Sequence, residues 1–288
     1  MAIKRVFYFN KILIDLSTAY RYNKQMKSAL TIAGSDPTCG AGLQMDIRVF
    51  NALGVYGLSA ISALTAQNTF NVAAVSGIDR EFLEAQLRTL LDDIRPDALK
   101  TGMLFSVDAI TAVAEIIREY GLENLVIDPV TLSSTGASLM ESGVLQAMKT
   151  ELFPLAKVIT PNILEASVIS GITIANENDL ETAASVLKNM GPETVVITGG
   201  HLDLLPALKR ETDSTIELLY DGQAFHRVYG EKVSGEFHGT GCAFSAAITA
   251  LLALGYTIPD AVAKAKEFVV KAVRDAHAPG KGMKLLHV

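Results

Sequence analysis

The sequence has few cysteines and histidines and no tryptophan. Its two cysteines, Cys39 and Cys242, cannot form a disulfide framework, which indicates a reducing, cytoplasmic compartment. Its five histidines are widely spaced and make no zinc-binding pattern with the cysteines. The nearest approach to a membrane span, residues 242–258, contains Ser245, Thr249 and Thr257 and falls short of the ~18 uncharged apolar residues that a span requires. These absences argue against a disulfide-stapled protein, a zinc finger and a membrane-spanning protein.

Positive charge is also scarce, since the formal net charge is −6. A chain with this balance is not expected to bind nucleic acid or a membrane surface. Residues 1–27 are the exception, because six basic side chains stand there against the single acidic Asp15. Lys11 and Asp15 interrupt the apolar run, so this segment does not fit a cleaved signal peptide. We expect residues 1–25 to be a non-core extension and residues 26–288 to form a single domain.

The apolar pattern alternates between short strand-like runs and longer helix-like stretches. Strands are predicted at 29–34, 57–64, 98–104, 125–130, 157–161, 194–200 and 216–220. Helices are predicted near 40–53, 80–93, 107–120, 138–150, 162–170, 177–190, 241–254 and 258–276. Strands such as LVIDPV are apolar on both faces, which is typical of strands covered by helices on each side. The sequence therefore predicts a layered α/β domain with a largely parallel sheet.

Polar residues and glycines follow one predicted strand after another. These groups are Gly34-Ser35-Asp36, Gln67-Asn68, Gly102-Met103, Asp128-Pro129, Pro161-Asn162 with Glu165, and Thr198-Gly199-Gly200-His201. Each group alone is explained by a turn. Because ligands bind outside the carboxyl ends of parallel strands, the whole set favours a site that is built from several strand ends.

The stretch HGTGC at 238–242 is the most specific single pattern. Gly239, Thr240 and Gly241 permit a tight turn just before a predicted helix. The free N–H groups and the dipole of such a helix start stabilise an anion, which suits a phosphate group during its transfer. The same dipole is expected to lower the pKa of Cys242. The alternative is a glycine turn followed by a buried cysteine, and the spacing leaves both interpretations open.

Other phosphate-binding patterns are absent. No G-x-x-x-x-G-K-[ST] sequence is present, and the two best matches to G-x-G-x-x-G/A fail at Met45 and Phe244. No G-x-S-x-G nucleophile turn is present either. Asp128 and Glu165 remain as oxygen ligands for Mg²⁺, which needs few protein ligands when phosphates share its coordination. Their alternative roles are a turn residue before a proline and a carboxylate in the first turn of a helix.

Several motifs, taken in order, are similar to one kinase family. They are LTIAGSDPTCGAGLQMDIRVFNALGVYG, TAQNT, KTGML, VIDPV, TPNILEA, GGH and HGTGC, within a span from about Ala29 to about Val273. Their order and spacing resemble the hydroxymethylpyrimidine/phosphomethylpyrimidine kinases of thiamine biosynthesis, in the ribokinase superfamily. The resemblance implies a ribokinase-like three-layer α/β/α fold with a mostly parallel central sheet, and a homodimer. It also implies Mg²⁺-dependent phosphoryl transfer from ATP to 4-amino-5-hydroxymethyl-2-methylpyrimidine and then to its monophosphate.

The resemblance assigns roles to individual residues. Cys242 would deprotonate the substrate hydroxyl, and the anion site around the transferred phosphate would be completed by Gly239, Thr240 and Gly241. Gln67 would hydrogen-bond the aminopyrimidine, since a carboxamide offers both a donor and an acceptor. The rest of that pocket would be lined by Gly34, Ala41, Asp46, Met103 and Val130. The nucleotide would be bound by Asn162, Glu165, Thr198 and Gly200, and the Mg²⁺ ligands would be Asp128 and Glu165.

The chain departs from the family pattern at three points. Thr198 stands where the family often has lysine, Thr131 stands where it often has methionine, and SSTG at 133–136 lacks a common lysine. Cys242 distinguishes the chain from the sugar kinases of the superfamily, which resemble G-T-G-D at this position. Some pyridoxal kinases also use cysteine, so phosphorylation of pyridoxal or pyridoxine is the alternative activity. A pyrimidine-binding protein without turnover is the alternative from another class.

Overall fold

The computed structural model describes residues 26–131, 141–199 and 214–288. Three sequence predictions lie outside these ranges: the extension at 1–25, the departure at 133–136 and the nucleotide contact at Gly200. Among the described residues, no helix is both long enough and apolar enough to cross a bilayer.

A nine-stranded sheet runs through the described residues. Its strands are β1 (Ser28–Ser35), β2 (Tyr56–Gln67), β3 (Val72–Gly77), β4 (Ala98–Thr101), β5 (Leu125–Ile127), β6 (Val158–Ile159), β7 (Thr194–Ile197), β8 (Ser214–Tyr220) and β9 (Phe225–Glu231). They are ordered β3-β2-β1-β4-β5-β6-β7-β8-β9 across the sheet. The strands from β2 to β7 in this order pair in parallel, whereas β3, β8 and β9 join antiparallel. The predicted α/β fold with a mostly parallel sheet is confirmed.

Helices pack on both faces of this sheet. They are α1 (Gly42–Ala52), α2 (Arg80–Leu91), α3 (Val107–Tyr120), α4 (Val144–Ala147), α5 (Ile163–Ser170), α6 (Glu177–Lys188), α7 (Thr240–Ala253) and α8 (Ile258–Arg274). Two short strands, β10 (Phe237–His238) and β11 (Lys284–Leu285), form a separate parallel pair beside the start of α7.

The central strands divide their side chains between two apolar cores. In β5, Leu125 and Ile127 join the core that contains α2 and α3, whereas Val126 joins the core that contains α1, α7 and α8. This alternation follows because successive residues of a strand point to opposite faces of the sheet. Burial on both sides explains why these strands have no polar face, and it produces the three-layer α/β/α arrangement.

Two edge strands were not predicted from the sequence. The side chains of β3 and β9 are exposed or half-exposed, so neither strand has the continuous apolar run of a central strand. The predicted helix over 138–150 also differs from the structure. In the described part of that segment, α4 begins at Val144, and the winding changes to a π-helix over Met148–Leu152.

Candidate active site

A cleft of about 1250 Å³ opens along the edge of the sheet where the parallel strands end. The predicted site residues that line it are Gly34, Ala41, Gln67, Met103, Asp128, Val130, Asn162, Glu165, Thr198, Gly239, Thr240, Gly241 and Cys242. They come from the ends of six strands and from the start of α7. The structure therefore brings these strand ends together along one cleft.

The start of α7 is shaped by Gly239. This residue has a φ of +82°, and a Cβ placed on it would lie 1.8 Å from the carbonyl oxygen of Gly40. Only glycine fits here, which allows the turn before α7 to pass directly against the loop after β1. The N–H of Ala243 donates to the Gly239 carbonyl, so the N–H groups of the preceding residues in the first turn have no acceptor within the helix. The first turn therefore has the geometry that the predicted anion-binding site requires.

Cys242 is half-buried in the first turn of α7. Burial raises the pKa of its thiol to about 12, although the positive charge of Lys100 and the N–H of Gly42 both act to lower it. The negative charges of Asp128 and Asp46 raise the pKa further. The expectation that the helix end lowers the pKa of Cys242 is therefore wrong, because burial and two carboxylates outweigh the helix end.

The state of the thiol leads to a labelling prediction. At pH 8, iodoacetamide should alkylate the exposed Cys39 at least roughly 100-fold faster than Cys242, because the thiolate is the reacting species and Cys242 is mostly protonated. Peptide mass spectrometry over a time course measures both rates in the native protein. Equal rates in the native protein would contradict the raised pKa, and unfolding in urea should bring the two rates together as the control.

Asp46 does not line the cleft, so its prediction as a substrate-pocket residue is wrong. Its side chain is fully buried beneath the cleft, where its two oxygens lie 2.8 and 2.9 Å from Nζ of Lys100. The hydroxyl of Thr31 donates to the same carboxylate at 2.6 Å. Burial alone would lower the pKa of Lys100, but the Asp46 carboxylate raises it above its ordinary value. Burial also raises the pKa of the Asp46 carboxyl group. The two short contacts to Lys100 nevertheless favour an ion pair.

Asp128 follows the end of β5, and Glu165 lies in the first turn of α5, which follows β6. Oδ2 of Asp128 accepts a hydrogen bond from Ser245 at 2.9 Å and lies 3.8 Å from Nζ of Lys100. Oε2 of Glu165 accepts from the N–H of Asn162 at 2.9 Å, while Oδ1 of Asn162 accepts from the N–H of Glu165 at 3.0 Å. Glu165 therefore caps α5 and also lines the cleft.

The two carboxylates have the chemistry of a magnesium site. Burial, and then the negative charge of Asp128, raise the pKa of Glu165 to about 8. A nearby divalent cation would offset this repulsion, and Mg²⁺ accepts one or two carboxylates when phosphate oxygens complete its coordination. In the described ranges, no group of three or more histidine, cysteine, aspartate or glutamate side chains could hold a metal ion on its own. The residues present fit a cation that shares its ligands with a nucleotide.

Gln67 contacts the buried His238, which in turn contacts the buried Asp36. Its amide nitrogen lies 3.1 Å from Nε2 of His238, and the same ring nitrogen lies 2.8 Å from Oδ2 of Asp36. His238 is 4% exposed and Asp36 is 3% exposed. The three side chains form one chain of contacts along the wall of the cleft.

Sequence reasoning assigned no role to Lys100, although the sequence carries a clear signal for this residue. It stands within the apolar strand sequence ALKTGML, and a lone lysine in a buried strand requires a carboxylate partner. The structure supplies that partner from α1, fifty-four residues earlier in the chain. His238 carried a weaker signal, because it precedes the glycine turn directly without any spacing that points to Asp36 or Gln67.

Another part of the cleft is lined by residues of β8 and α8. Nζ of Lys266 lies 2.6 Å from Oε1 of Glu217 and 2.5 Å from Oγ1 of Thr215. The valines at 269, 270 and 273 of α8 supply an apolar wall to the same part. This part combines an apolar surface with a few polar groups, which is typical of a small-molecule pocket.

Comparison with known proteins shows to which family the chain belongs. A model of the family described as phosphomethylpyrimidine kinase matches residues 36–287. The chain belongs to this family. It is 42% identical over 255 residues to the hydroxymethylpyrimidine/phosphomethylpyrimidine kinase of Bacillus subtilis, covering 88% of this chain and 92% of that protein. It is 40% identical over 256 residues to the pyridoxine kinase of the same organism, covering 87% of this chain and 92% of that protein.

A longer relative shares the same region. The chain is 41% identical over 256 residues to the thiamine biosynthesis bifunctional protein ThiED of Geobacter sulfurreducens, covering 88% of this chain. The matched region is about half of that protein, 51% of its length. The similarity therefore concerns one part of a bifunctional protein.

Solved structures of similar kinases have the same fold. An ADP complex of Bacillus subtilis pyridoxal kinase matches with a TM-score of 0.80 and 38% identity, covering 91% of this chain and 96% of that chain. A phosphomethylpyrimidine kinase from Clostridium difficile 630 matches with a TM-score of 0.74 and 37% identity, covering 86% of this chain and 99% of that chain. The ribokinase-like fold that the resemblance implies is confirmed by these neighbours.

Proposed function

We propose that this protein is an ATP-dependent kinase that phosphorylates 4-amino-5-hydroxymethyl-2-methylpyrimidine and then its monophosphate. The observation that carries the proposal is the place of Cys242, at the start of α7 and in one cleft with Gln67, Asp128 and Glu165. A proton acceptor, an anion-binding helix end, a carboxamide and oxygen ligands are what phosphoryl transfer to a pyrimidine alcohol requires. Membership of the phosphomethylpyrimidine kinase family supports the same activity.

In the first transfer, the substrate hydroxyl loses its proton to the thiolate of Cys242. The hydroxyl oxygen forms a bond to the γ-phosphorus of ATP while the bond from that phosphorus to the β–γ bridging oxygen breaks, which releases ADP. The N–H groups of Thr240 and Gly241 stabilise the charge on the transferring group. The charge of Lys100 and the N–H of Gly42 favour the thiolate, but burial outweighs them and keeps most of the thiol protonated at neutral pH.

The second transfer differs in its acceptor. The attacking oxygen then belongs to a phosphate monoester, which is largely ionised at neutral pH because its second pKa is about 6. No base is needed to remove a proton from this oxygen. Cys242 therefore serves the first transfer as a base, whereas the anion-binding end of α7 serves both transfers.

The residues proposed to bind nucleotide lie around Asp128 and Asn162. Asp128 and Glu165 would hold Mg²⁺, which supplies positive charge to the nucleotide phosphates when it is bound. Thr198 follows β7, lines the cleft and pairs with Asn162 through a backbone bridge. A hydroxyl here offers a hydrogen bond to a phosphate oxygen but no positive charge, so the cation and α7 carry more of the charge stabilisation. The contact proposed for Gly200 follows from the family resemblance alone.

The experiment that tests the proposed function measures ADP release with three acceptors. The purified protein, Mg²⁺ and ATP are supplied with the hydroxymethylpyrimidine, its monophosphate or pyridoxal, and a reaction without an acceptor measures background hydrolysis. We expect kcat/KM to be at least about tenfold higher for the pyrimidine than for pyridoxal, because its amino group and ring nitrogen match the Gln67 carboxamide. A higher value for pyridoxal would favour the vitamin B6 alternative. Pyrimidine binding without ADP release would favour the protein without turnover.

Pyridoxine phosphorylation is the second candidate because a relative with that name is 40% identical over most of the chain. An ADP complex of a pyridoxal kinase also has the same fold. Both activities require the start of α7 and the nucleotide residues, so these cannot separate them. The separating feature is Gln67, whose donor and acceptor must match the substrate ring.

We also propose that the protein works as a homodimer in the cytoplasm. The dimer follows from the family resemblance. The compartment follows from the two free cysteines, which a reducing environment keeps as thiols. The net charge of −6 supports small-molecule partners rather than nucleic acid.

A further inference from the structure

The hydrogen bonds that Asp36 accepts keep its carboxyl group ionised. Its carboxylate accepts from the N–H of Thr38 at 2.9 Å, from the hydroxyl of Thr38 at 2.8 Å and from the N–H of Ala41 at 2.9 Å. Burial would raise the pKa of Asp36, but the hydrogen bonds from His238 and Thr38 hold it below the ordinary value. Asp36 is therefore an ionised carboxylate that can only accept hydrogen bonds.

The tautomer of His238 follows from Asp36. Oδ2 of Asp36 lies 2.8 Å from Nε2 of the imidazole. Because the carboxylate has no proton to give, Nε2 must carry the proton and donate it. The ring is held in this orientation by its surroundings. His238 pairs with Leu285 across β10 and β11, and a Cβ on Gly40 would lie 2.6 Å from the ring atom Cδ2.

The end of the Gln67 amide that faces the N–H of His238 must be a hydrogen-bond acceptor. In one orientation, its NH₂ group lies 3.1 Å from Nε2 of His238, where two donors would face each other. Turning the amide by half a rotation places its oxygen there, and the exchange of the oxygen and nitrogen positions leaves the shape almost unchanged. The N–H of His238 then donates to both Asp36 and Gln67.

Thr65 supports the same orientation independently. Its hydroxyl proton is used in a 2.9 Å hydrogen bond to the carbonyl of Ser35. The other end of the Gln67 amide lies 3.3 Å from this hydroxyl oxygen. Since the hydroxyl has no second proton, the amide end that faces it must be the NH₂ group. One orientation of Gln67 therefore satisfies Thr65 and His238 together.

We propose that His238, held by Asp36, is a positioning residue that fixes the orientation of the Gln67 amide and thereby selects the substrate ring. The amide keeps one oxygen lone pair and one N–H for the substrate, and their order cannot be exchanged. A 4-aminopyrimidine offers an exocyclic N–H to the oxygen and a ring nitrogen to the N–H. The corresponding 4-oxopyrimidine offers the opposite order and would force two donors together at His238. This inference rests on the proposed function, because it concerns the same pyrimidine pocket.

The test compares two ligands in wild-type protein and in His238→Phe. The ligands are the 4-amino and 4-oxo forms of 5-hydroxymethyl-2-methylpyrimidine, and calorimetric titration gives both dissociation constants. Wild-type protein should bind the amino form on the order of 100-fold more tightly, as expected when buried polar groups cannot be re-paired. In His238→Phe the ratio should fall below about tenfold, because the amide can turn. The matched control is His226→Phe, an exposed histidine of β9, which should keep the wild-type ratio.

A purely structural role of His238 has a different result. Such a role would weaken the binding of both ligands by the same factor. The ratio of their dissociation constants would then stay unchanged, which would overturn the inference. A second variant, Asp36→Asn, keeps the imidazole but allows the other tautomer, so it should also lower the ratio. It decides the question if thermal unfolding shows that His238→Phe does not fold. If wild-type protein binds neither pyrimidine, the proposed function fails and the inference fails with it. An amino preference that persists in both variants overturns the inference alone.

Discussion

Replacing Cys242 with alanine is expected to lower kcat for the hydroxymethylpyrimidine by ~10²–10⁴-fold, the range for loss of a general base. The kcat for the monophosphate should fall much less, because the phosphate oxygen that attacks in the second transfer is already ionised. ATP and pyrimidine affinity should stay within a few-fold of wild type, since the first-turn N–H groups of α7 and the Gln67 amide are unchanged. Rapid-mixing measurement of ADP formation with each acceptor provides both rate constants.

The matched control for Cys242→Ala is Cys39→Ala. Cys39 is the other free cysteine, and it is exposed, so its replacement should leave both rates unchanged. Similar losses for the two acceptors in Cys242→Ala would contradict a role as base and would indicate damage to the shared anion site. Thermal unfolding of both variants separates such damage from a general loss of folding.

The pH profile provides a second measurement on the same variant. Burial raises the pKa of Cys242 to about 12, so the thiolate fraction increases about tenfold per pH unit throughout the neutral range. The kcat/KM of the first transfer should therefore rise from about pH 6 to about pH 9 without reaching a plateau. Cys39→Ala should keep this rise, and the residual activity of Cys242→Ala should rise less steeply, because the ionisation of Glu165, whose pKa is raised to about 8, then remains as its source. A plateau near pH 7 in the wild type would contradict the raised pKa.

The central strands and the glycine turn could be predicted from local sequence. LVIDPV reads as a strand because burial on both faces leaves it no polar side, and the structure has β5 there. Gly239 reads as a turn because only glycine adopts its backbone conformation easily, and its φ is +82°. In both cases the signal is carried by residues that are consecutive in the sequence.

The pKa of Cys242 and the place of Asp46 could not be predicted in this way. A helix start is visible in the sequence, whereas the burial that outweighs it depends on side chains from β4, β5 and α1. Asp46 follows a motif that resembles a substrate pocket, yet Lys100, from a strand more than fifty residues later, draws its carboxylate below the cleft. Strand β9 was missed for a related reason, since an exposed edge strand gains its order from the neighbouring β8 rather than from its own pattern.

Replacing Lys100 with methionine is expected to lower the free energy of unfolding by about 3–5 kcal/mol, because it leaves a buried carboxylate without its partner. Lys100 and Asp46 are both fully buried, and Nζ of Lys100 lies 2.8 and 2.9 Å from the two carboxylate oxygens of Asp46. Of the other groups near Asp46, the Thr31 hydroxyl supplies one hydrogen bond and no charge. Urea unfolding of the variant measures the loss.

The matched control for Lys100→Met is Lys157→Met, the same change in a lysine at the surface. Lys157 lies 3.9 Å from Glu193, with side chains 34% and 63% exposed, so its loss should be below about 1 kcal/mol. The double variant Lys100→Met/Asp46→Asn removes the charge as well as its partner, so it should regain about half of the loss or more. If the double variant is as unstable as Lys100→Met alone, the loss comes from packing of the lysine side chain, and the unpaired carboxylate is not its cause.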